Sequence, residues 1–338
     1  DGGDISLIIL NAVFAYNFGL AILSNSHSTE DYLGLFTFLN GLVHIIVNIA
    51  IKRFQGYDKN MHYLTLGLAL AFITIAIPVE FNGSWLALFW LAESAVLFWI
   101  GRTQKVRFYE IFSYPLLGVA ICSLLYGWGE YYGNLHEFKL FLNVDFLISA
   151  MFILIFGLML IISRKTKEAA FNDYSGVLTW ALFTMLYFAF FMEINGYWSA
   201  QLGINNELPQ WLWKNPKAQA LSTFRVIWLT NYTLLYLIVI SWVNIKIYKN
   251  QTFAGVNLII NACAIFLFLT FGLYNLSLSK EFGDFGTQYL LRYSSIAIFG
   301  GLLFSTSQYT KQPFLQLNST IGINIATHII FLCVLTSE

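Results

Sequence analysis

The sequence is poor in charge. Only 11% of its 338 residues are Asp, Glu, Lys or Arg, where globular chains carry roughly 25%. Eighteen bases cancel eighteen acids, so there is neither a basic excess for nucleic acid nor an acidic excess of the kind that keeps a tail solvated. Cysteine is scarce as well. Cys122, Cys263 and Cys333 all fall inside apolar stretches, which excludes a secreted disulfide framework and offers no thiolate metal site. The five histidines, His27, His44, His62, His136 and His328, are scattered singly and supply no zinc or haem ligand set. No P-loop, dinucleotide-binding, HExxH or GxSxG pattern occurs. Nucleotide hydrolysis and zinc proteolysis are therefore not expected, and neither is a cofactor or a metal.

What the chain has in abundance is apolar surface, 58% of its residues, with 18% aromatic. A bilayer-spanning helix needs about 20 apolar residues, so ten spans would use about as many residues as this composition supplies. The runs read as helices at 5 to 24, 31 to 51, 61 to 79, 84 to 101, 109 to 128, 144 to 163, 175 to 194, 221 to 245, 251 to 276 and 288 to 307, with an eleventh starting near Thr320. They are continuous rather than alternating, which excludes a transmembrane barrel. The reading is an all-α polytopic membrane protein of ten to eleven spans. The first run lacks the basic flank and cleavage site of a signal peptide. Because the chain starts at Asp1 and stops inside an apolar run at Glu338, it is expected to be a segment of something longer.

The loops after the second, fourth, sixth, eighth and tenth runs hold Lys52, Arg53, Lys59, Arg102, Lys105, Arg107, Arg164, Lys165, Lys167, Lys246, Lys249 and Lys311. The intervening loops hold Lys139, Lys214, Lys217 and Lys280, with Arg225 and Arg292 just inside helices at that same face. Cytoplasmic loops carry the Lys and Arg excess, so Asp1 is expected on the cytoplasmic side. Seventeen of the eighteen acids fall near one face or the other; Glu93 is the one left in mid-membrane.

An internal repeat is also legible. Glu80-Phe-Asn82-Gly83-Ser-Trp85 corresponds to Glu193-Ile-Asn195-Gly196-Tyr-Trp198, and both read as turns because Asn-Gly after an acid favours one. Trp90-Leu-Ala-Glu93 then matches Trp228-Leu-Thr-Asn231, Phe112 and Cys122 match Phe253 and Cys263 at one offset, and Phe156-Gly157 matches Phe299-Gly300. The expected organisation is a pair of leading helices at 1–55, a four-helix unit at 61–171, its copy at 175–312 and a further, truncated span at 320–338. Four is even, so the copies share one orientation, a parallel duplication of the kind some transporters use.

Pro78, Trp85, Trp90-Leu-Ala-Glu93-Ser-Ala95, Gly101-Arg102, Trp198-Ser-Ala200, Trp228 and Arg292-Tyr-Ser-Ser295 leading to Phe299-Gly300 resemble the bacterial predicted membrane proteins of domain-of-unknown-function family 2339. The resemblance covers about two thirds of the chain. It implies a bacterial inner-membrane protein with many helices, often preceded by a soluble or coiled-coil segment, and it brings no assigned activity. Asn231, at the position equivalent to Glu93, departs from the pattern, so the carboxylate occurs in one copy only.

Two constellations carry candidate chemistry. Within the membrane, Glu93 shares a helical stripe with Trp90 and Ser94, and a charge there costs roughly 2.5–3.5 kcal/mol on insertion scales. The second run adds Asn40, His44 and Asn48 at four-residue spacing, which facing Glu93 would form a proton relay and otherwise packs helices by hydrogen bonds. At the outer face stand Glu80, Glu193, Arg225, Arg292, Trp85 and Trp198. The arginine forks suit phosphate or carboxylate groups, or pair with the two acids, and the tryptophans suit interfacial anchoring. The leading expectation is a structural or complex-forming subunit of the cell envelope, with membrane lipids and other envelope membrane proteins as partners. A transporter or flippase for a small or lipid-linked anionic substrate is the alternative, and a membrane-embedded transferase the second.

Overall fold

The computed structural model describes residues 2–24, 32–53, 59–80, 84–133, 138–166, 175–203, 216–279, 285–315, 328 and 330. Among these there is no strand. The helices are α1 (Gly2–Leu23), α2 (Leu33–Arg53), α3 (Lys59–Glu80), α4 (Ser84–Thr103), α5 (Arg107–Gly133), α6 (Val144–Lys165), α7 (Ser175–Leu202), α8 (Pro216–Val243), α9 (Gln251–Leu267), α10 (Leu273–Leu278) and α11 (Phe285–Thr310). A π turn over Phe268–Gly272 joins α9 to α10 as one rod, and another over Asn244–Tyr248 extends α8. Eight segments, α2 to α8 and the α9–α10 rod, are long and apolar enough to cross a membrane among the described residues. The eleventh run lies outside the described residues apart from His328 and Ile330. Contacts divide the chain into two compact units, residues 1–129 with 144–185, and residues 130–143 with 186–338.

Unit 1 is organised by small residues. Gly34, Thr37, Gly41 and Asn48 form the buried stripe of α2, and a Cβ at Gly41 would lie 2.8 Å from Ile73 and 3.2 Å from the Ala69 carbonyl of α3. Small residues let membrane helices approach closely enough for dispersion contacts to hold them. Helix α4 packs on α6, and the two helices bury large side chains, among them Leu91 and Phe98 on α4 and Phe152, Phe156 and Met159 on α6. At the far end of α4 the chain turns over Lys105, which is left-handed at φ 58°, and α5 returns so tightly that a Cβ on Gly101 would sit 2.7 Å from the Glu110 nitrogen. Gly101→Ala is thus expected to lose about 1–3 kcal/mol to overpacking, despite alanine's better helix propensity; a melting temperature in detergent equal to wild type would contradict this.

Unit 2 buries Ile227, Leu234, Leu237, Phe268, Phe299 and Leu302 around a stacked ring pair, Phe268 and Phe299, at 4.2 Å. Polar groups stitch the same core. Asn257 and Asn261 donate to Ser241 Oγ at 2.8 and 3.2 Å, and Asn231 donates to Ser295 at 2.8 Å. Asn244 holds the α8–α9 turn, donating to the Asn250 carbonyl (3.1 Å), accepting from the Asn250 nitrogen (3.0 Å) and meeting the Tyr309 hydroxyl. Asn250 in turn caps α9, accepting from the Phe253 nitrogen at 3.0 Å.

One sequence expectation meets a different structure. The stretch Glu193–Trp198 reads as a turn, yet α7 continues through it to Leu202. Glycine removes only about 1 kcal/mol of helix propensity, and tertiary contacts at Glu193 and Gly196 outweigh that. The corresponding Asn82-Gly83 lies outside the described residues.

Candidate functional site

Pro78 lies inside α3 and has no N–H, so the carbonyl four residues back, that of Thr74, is left without its helical donor. The Trp90 indole of α4 reaches that carbonyl at 3.4 Å. One turn further along the same face of α4, Glu93 Oε1 accepts from the Thr74 hydroxyl at 2.8 Å. That hydroxyl also lies 2.8 Å from the Leu70 carbonyl. A hydroxyl has one proton to give, so it either donates to an ionised Glu93 or donates to Leu70 while accepting from a protonated one. The arrangement accommodates both states of the acid. Glu93 Oε2 is buried with no hydrogen-bond partner among the described residues.

Beside this acid is a cavity of about 640 Å³ between α2, α3 and α4, within the range of about 300–1,000 Å³ typical of small-molecule sites. Its walls are apolar, with Phe38, Leu70, Ile73, Phe89 and Val96 prominent, and the only acids in them among the described residues are Glu93 and Glu80. Leu35, Phe38 and Val96 are exposed apolar residues on its margin, so the cavity is a groove open on the apolar flank of unit 1. Glu80, the last residue of α3, folds over Gly34, where a Cβ would come within 2.6 Å of its own.

The α2 stripe faces α3. Asn48 donates to the His62 carbonyl (2.7 Å) and to Thr65 (2.8 Å), His44 stacks on Phe72 at 5.3 Å, and Asn40 bonds its own helix at Phe36 (2.9 Å). No hydrogen bond links His44 to Glu93. Ser94, the neighbour of Glu93, turns the other way and donates to the Ser113 carbonyl of α5 at 2.8 Å.

The residues expected at the outer face are distributed rather than gathered. Glu80 belongs to the groove of unit 1, while Glu193 in unit 2 is fully buried and accepts from Tyr132 (2.6 Å), Asn143 (2.7 Å) and the Phe141 nitrogen (2.7 Å). Arg225 donates to Asn195 at 2.8 Å, and Arg292 is buried on α11. Trp85 is 51% exposed, as an interfacial anchor would be, whereas Trp198 lies against Phe224 at 6.3 Å.

A buried charged pair joins α4 to α5. Arg102 and Glu110 form an ion pair of 2.6 Å with side chains only 2% and 3% exposed, and Tyr114 donates to the same carboxylate at 2.6 Å. The signal was opposite charges flanking a very short helix connection. Cys122 and Cys263 are free and exposed, and no cluster of potential metal ligands occurs among the described residues.

Long apolar helices, polar side chains bonded between them, and an acid against an apolar groove define a multi-pass membrane protein. Residues 4–335 match the family described as Predicted membrane protein (DUF2339), and the chain belongs to that family. No curated protein and no solved structure matches the chain.

Proposed function

We propose that the chain is a transport protein of the bacterial inner membrane that admits an amphiphilic substrate sideways from the bilayer into the groove of unit 1. One observation carries this reading: Glu93, deep in the membrane and with one oxygen unpartnered, lines an open apolar cavity large enough for a ligand. Intramembrane acids mark substrate and proton paths, and the two-way hydroxyl of Thr74 lets Glu93 change its proton without rebuilding the site. The Lys and Arg asymmetry supports Asp1 on the cytoplasmic side, which puts Glu80 at the outer end of the groove. The sequence correspondences between 61–171 and 175–312 support a duplicated architecture, with Glu93 active in one copy.

Reconstitution tests the reading. In liposomes carrying tail-labelled phosphatidylethanolamine, the protein is expected to raise the fraction of label reached by external dithionite above the outer-leaflet share. Glu93→Gln, which keeps the shape and removes the exchangeable proton, should abolish the increase. Wild-type liposomes no faster than protein-free ones, or an unaffected Glu93→Gln, would remove the flippase reading.

A complex-forming role in the envelope is the second reading. It is supported by the stripe Leu7, Leu10, Phe14, Phe18 and Ile22 on α1, each between 54% and 71% exposed, which suits lipid or a partner helix. Gentle extraction into lipid nanodiscs followed by native mass spectrometry would separate the two coverings.

A further inference from the structure

We infer that the groove between α2, α3 and α4 is selective for lipophilic cations, such as amphiphiles with an amine or quaternary ammonium group. The inference takes the groove as a ligand site, as the proposed transport role does, and adds the sign of the ligand's charge. Three observations lead to it. Among the described residues, the only ionisable side chains in the groove wall are Glu80 and Glu93, and no Lys, Arg or His contributes. Neither acid forms an ion pair with a described residue: Glu93 meets only the neutral Thr74 hydroxyl, and Glu80 lies over the Cα of Gly34. The remaining wall offers two aromatic rings, Phe38 and Phe89, among aliphatic side chains.

Each feature discriminates by charge. An anion would meet two like charges or two protonated acids and no donor fork, which is costly in a low-dielectric wall. A cation gains both carboxylates, and ring faces attract it through their quadrupole. The geometry also gives an order of contacts. Glu80 stands at the rim, and Glu93 lies nine residues into α4, about 14 Å from the start of that helix at 1.5 Å per residue. A cation on an apolar body thus finds one acid on entering and a second inside, with the apolar wall taking its hydrocarbon. On binding, the cation replaces the Glu93 proton, which leaves to solvent, and charge balances. The sign is opposite to the anionic substrate that the outer arginines bring to mind in the sequence; those arginines stand in unit 2 and not in this groove.

Tetraphenylphosphonium and tetraphenylborate make the test, because the two ions share one shape and differ in charge. Equilibrium dialysis against the purified full chain in detergent is expected to show saturable binding of the phosphonium and at least about tenfold weaker binding of the borate. Glu93→Gln should weaken the phosphonium by at least about tenfold and Glu80→Gln by a smaller factor, since a carboxylate in the low-dielectric wall attracts a cation more strongly than one screened by solvent at the rim. Val96→Trp, which fills the groove, should remove phosphonium binding while keeping the acids. If Glu93→Gln fails to fold, Val96→Trp decides alone, and undiminished phosphonium binding in it overturns the assignment. Equal or stronger borate binding overturns it as well. Borate preference together with lipid flux in liposomes would leave transport standing and refute the cation assignment, whereas phosphonium preference without flux would do the reverse.

Discussion

Arg102→Met is expected to destabilise the protein by about 3–5 kcal/mol, and Arg102→Met with Glu110→Met to recover most of that loss. The pair is sealed: both side chains are almost wholly buried and 2.6 Å apart. Glu110 also accepts from Tyr114 at 2.6 Å, while Arg102 lies over the Phe98 ring at 5.4 Å and reaches the Thr166 carbonyl at 3.4 Å. Removing the guanidinium leaves a buried carboxylate without its counter-charge. Removing both charges leaves methionines that fill irregular space well. A buried ion pair is weak evidence for net stability, but breaking one half of it is costly. The melting temperature of the detergent-solubilised protein reads both effects. A single variant that melts like wild type would show that the pair is solvated, and a double variant no better than the single would show that packing, not the orphaned charge, is responsible.

Helices were legible because apolar run length reports hydrocarbon thickness directly. Their ends were less so. The fifth run reads as 109–128, yet α5 extends over Arg107–Gly133, because a helix does not have to stop where an apolar run stops; Glu130, Tyr131 and Tyr132 continue it. Similarly α7 passes the Asn-Gly pair, since Gly196 is needed for close approach: a Cβ there would lie 2.7 Å from Phe138 and 2.8 Å from Tyr132. Local turn chemistry lost to a tertiary contact between segments far apart in sequence.

The candidate site shows the same division. Glu93 stands out in the sequence because an acid in an apolar run has to be explained. Its partner Thr74 does not, because a threonine in a membrane helix usually bonds its own backbone, as Thr65 does with Met61 at 2.9 Å. The role of Pro78 needs two facts at once, the carbonyl it frees and the indole that takes it. The groove itself belongs to three helices together and has no signature in any one of them. Arg102 is visible as a base just past the fourth run and Glu110 as an acid at the start of the fifth, but nothing in one dimension shows that the two meet in a buried pair.

Glu193→Leu is expected to cost about 3 kcal/mol, because it removes a fully buried acceptor of three hydrogen bonds, each contributing about 1 kcal/mol. The donors are the Tyr132 hydroxyl, the Asn143 amide and the Phe141 nitrogen, all within 2.7 Å of the carboxylate. Glu193→Gln should cost less: one amide oxygen still accepts, but the new NH₂ group points a donor at a donor. The Phe141 bond has a further consequence. Phe141 is not glycine, yet its φ is 59°, a left-handed conformation that bulky residues rarely adopt without being held. Glu193 Oε2 holds its nitrogen, and the ring packs on Phe190 at 6.0 Å. Losing the carboxylate should therefore free the backbone at 138–143 before the helices melt. Amide exchange at Phe141 should accelerate in Glu193→Leu at temperatures where the bulk of α7 remains protected. Exchange at Phe141 as slow as in the native chain would mean that the ring contact alone fixes the segment, and the carboxylate would lose its structural role.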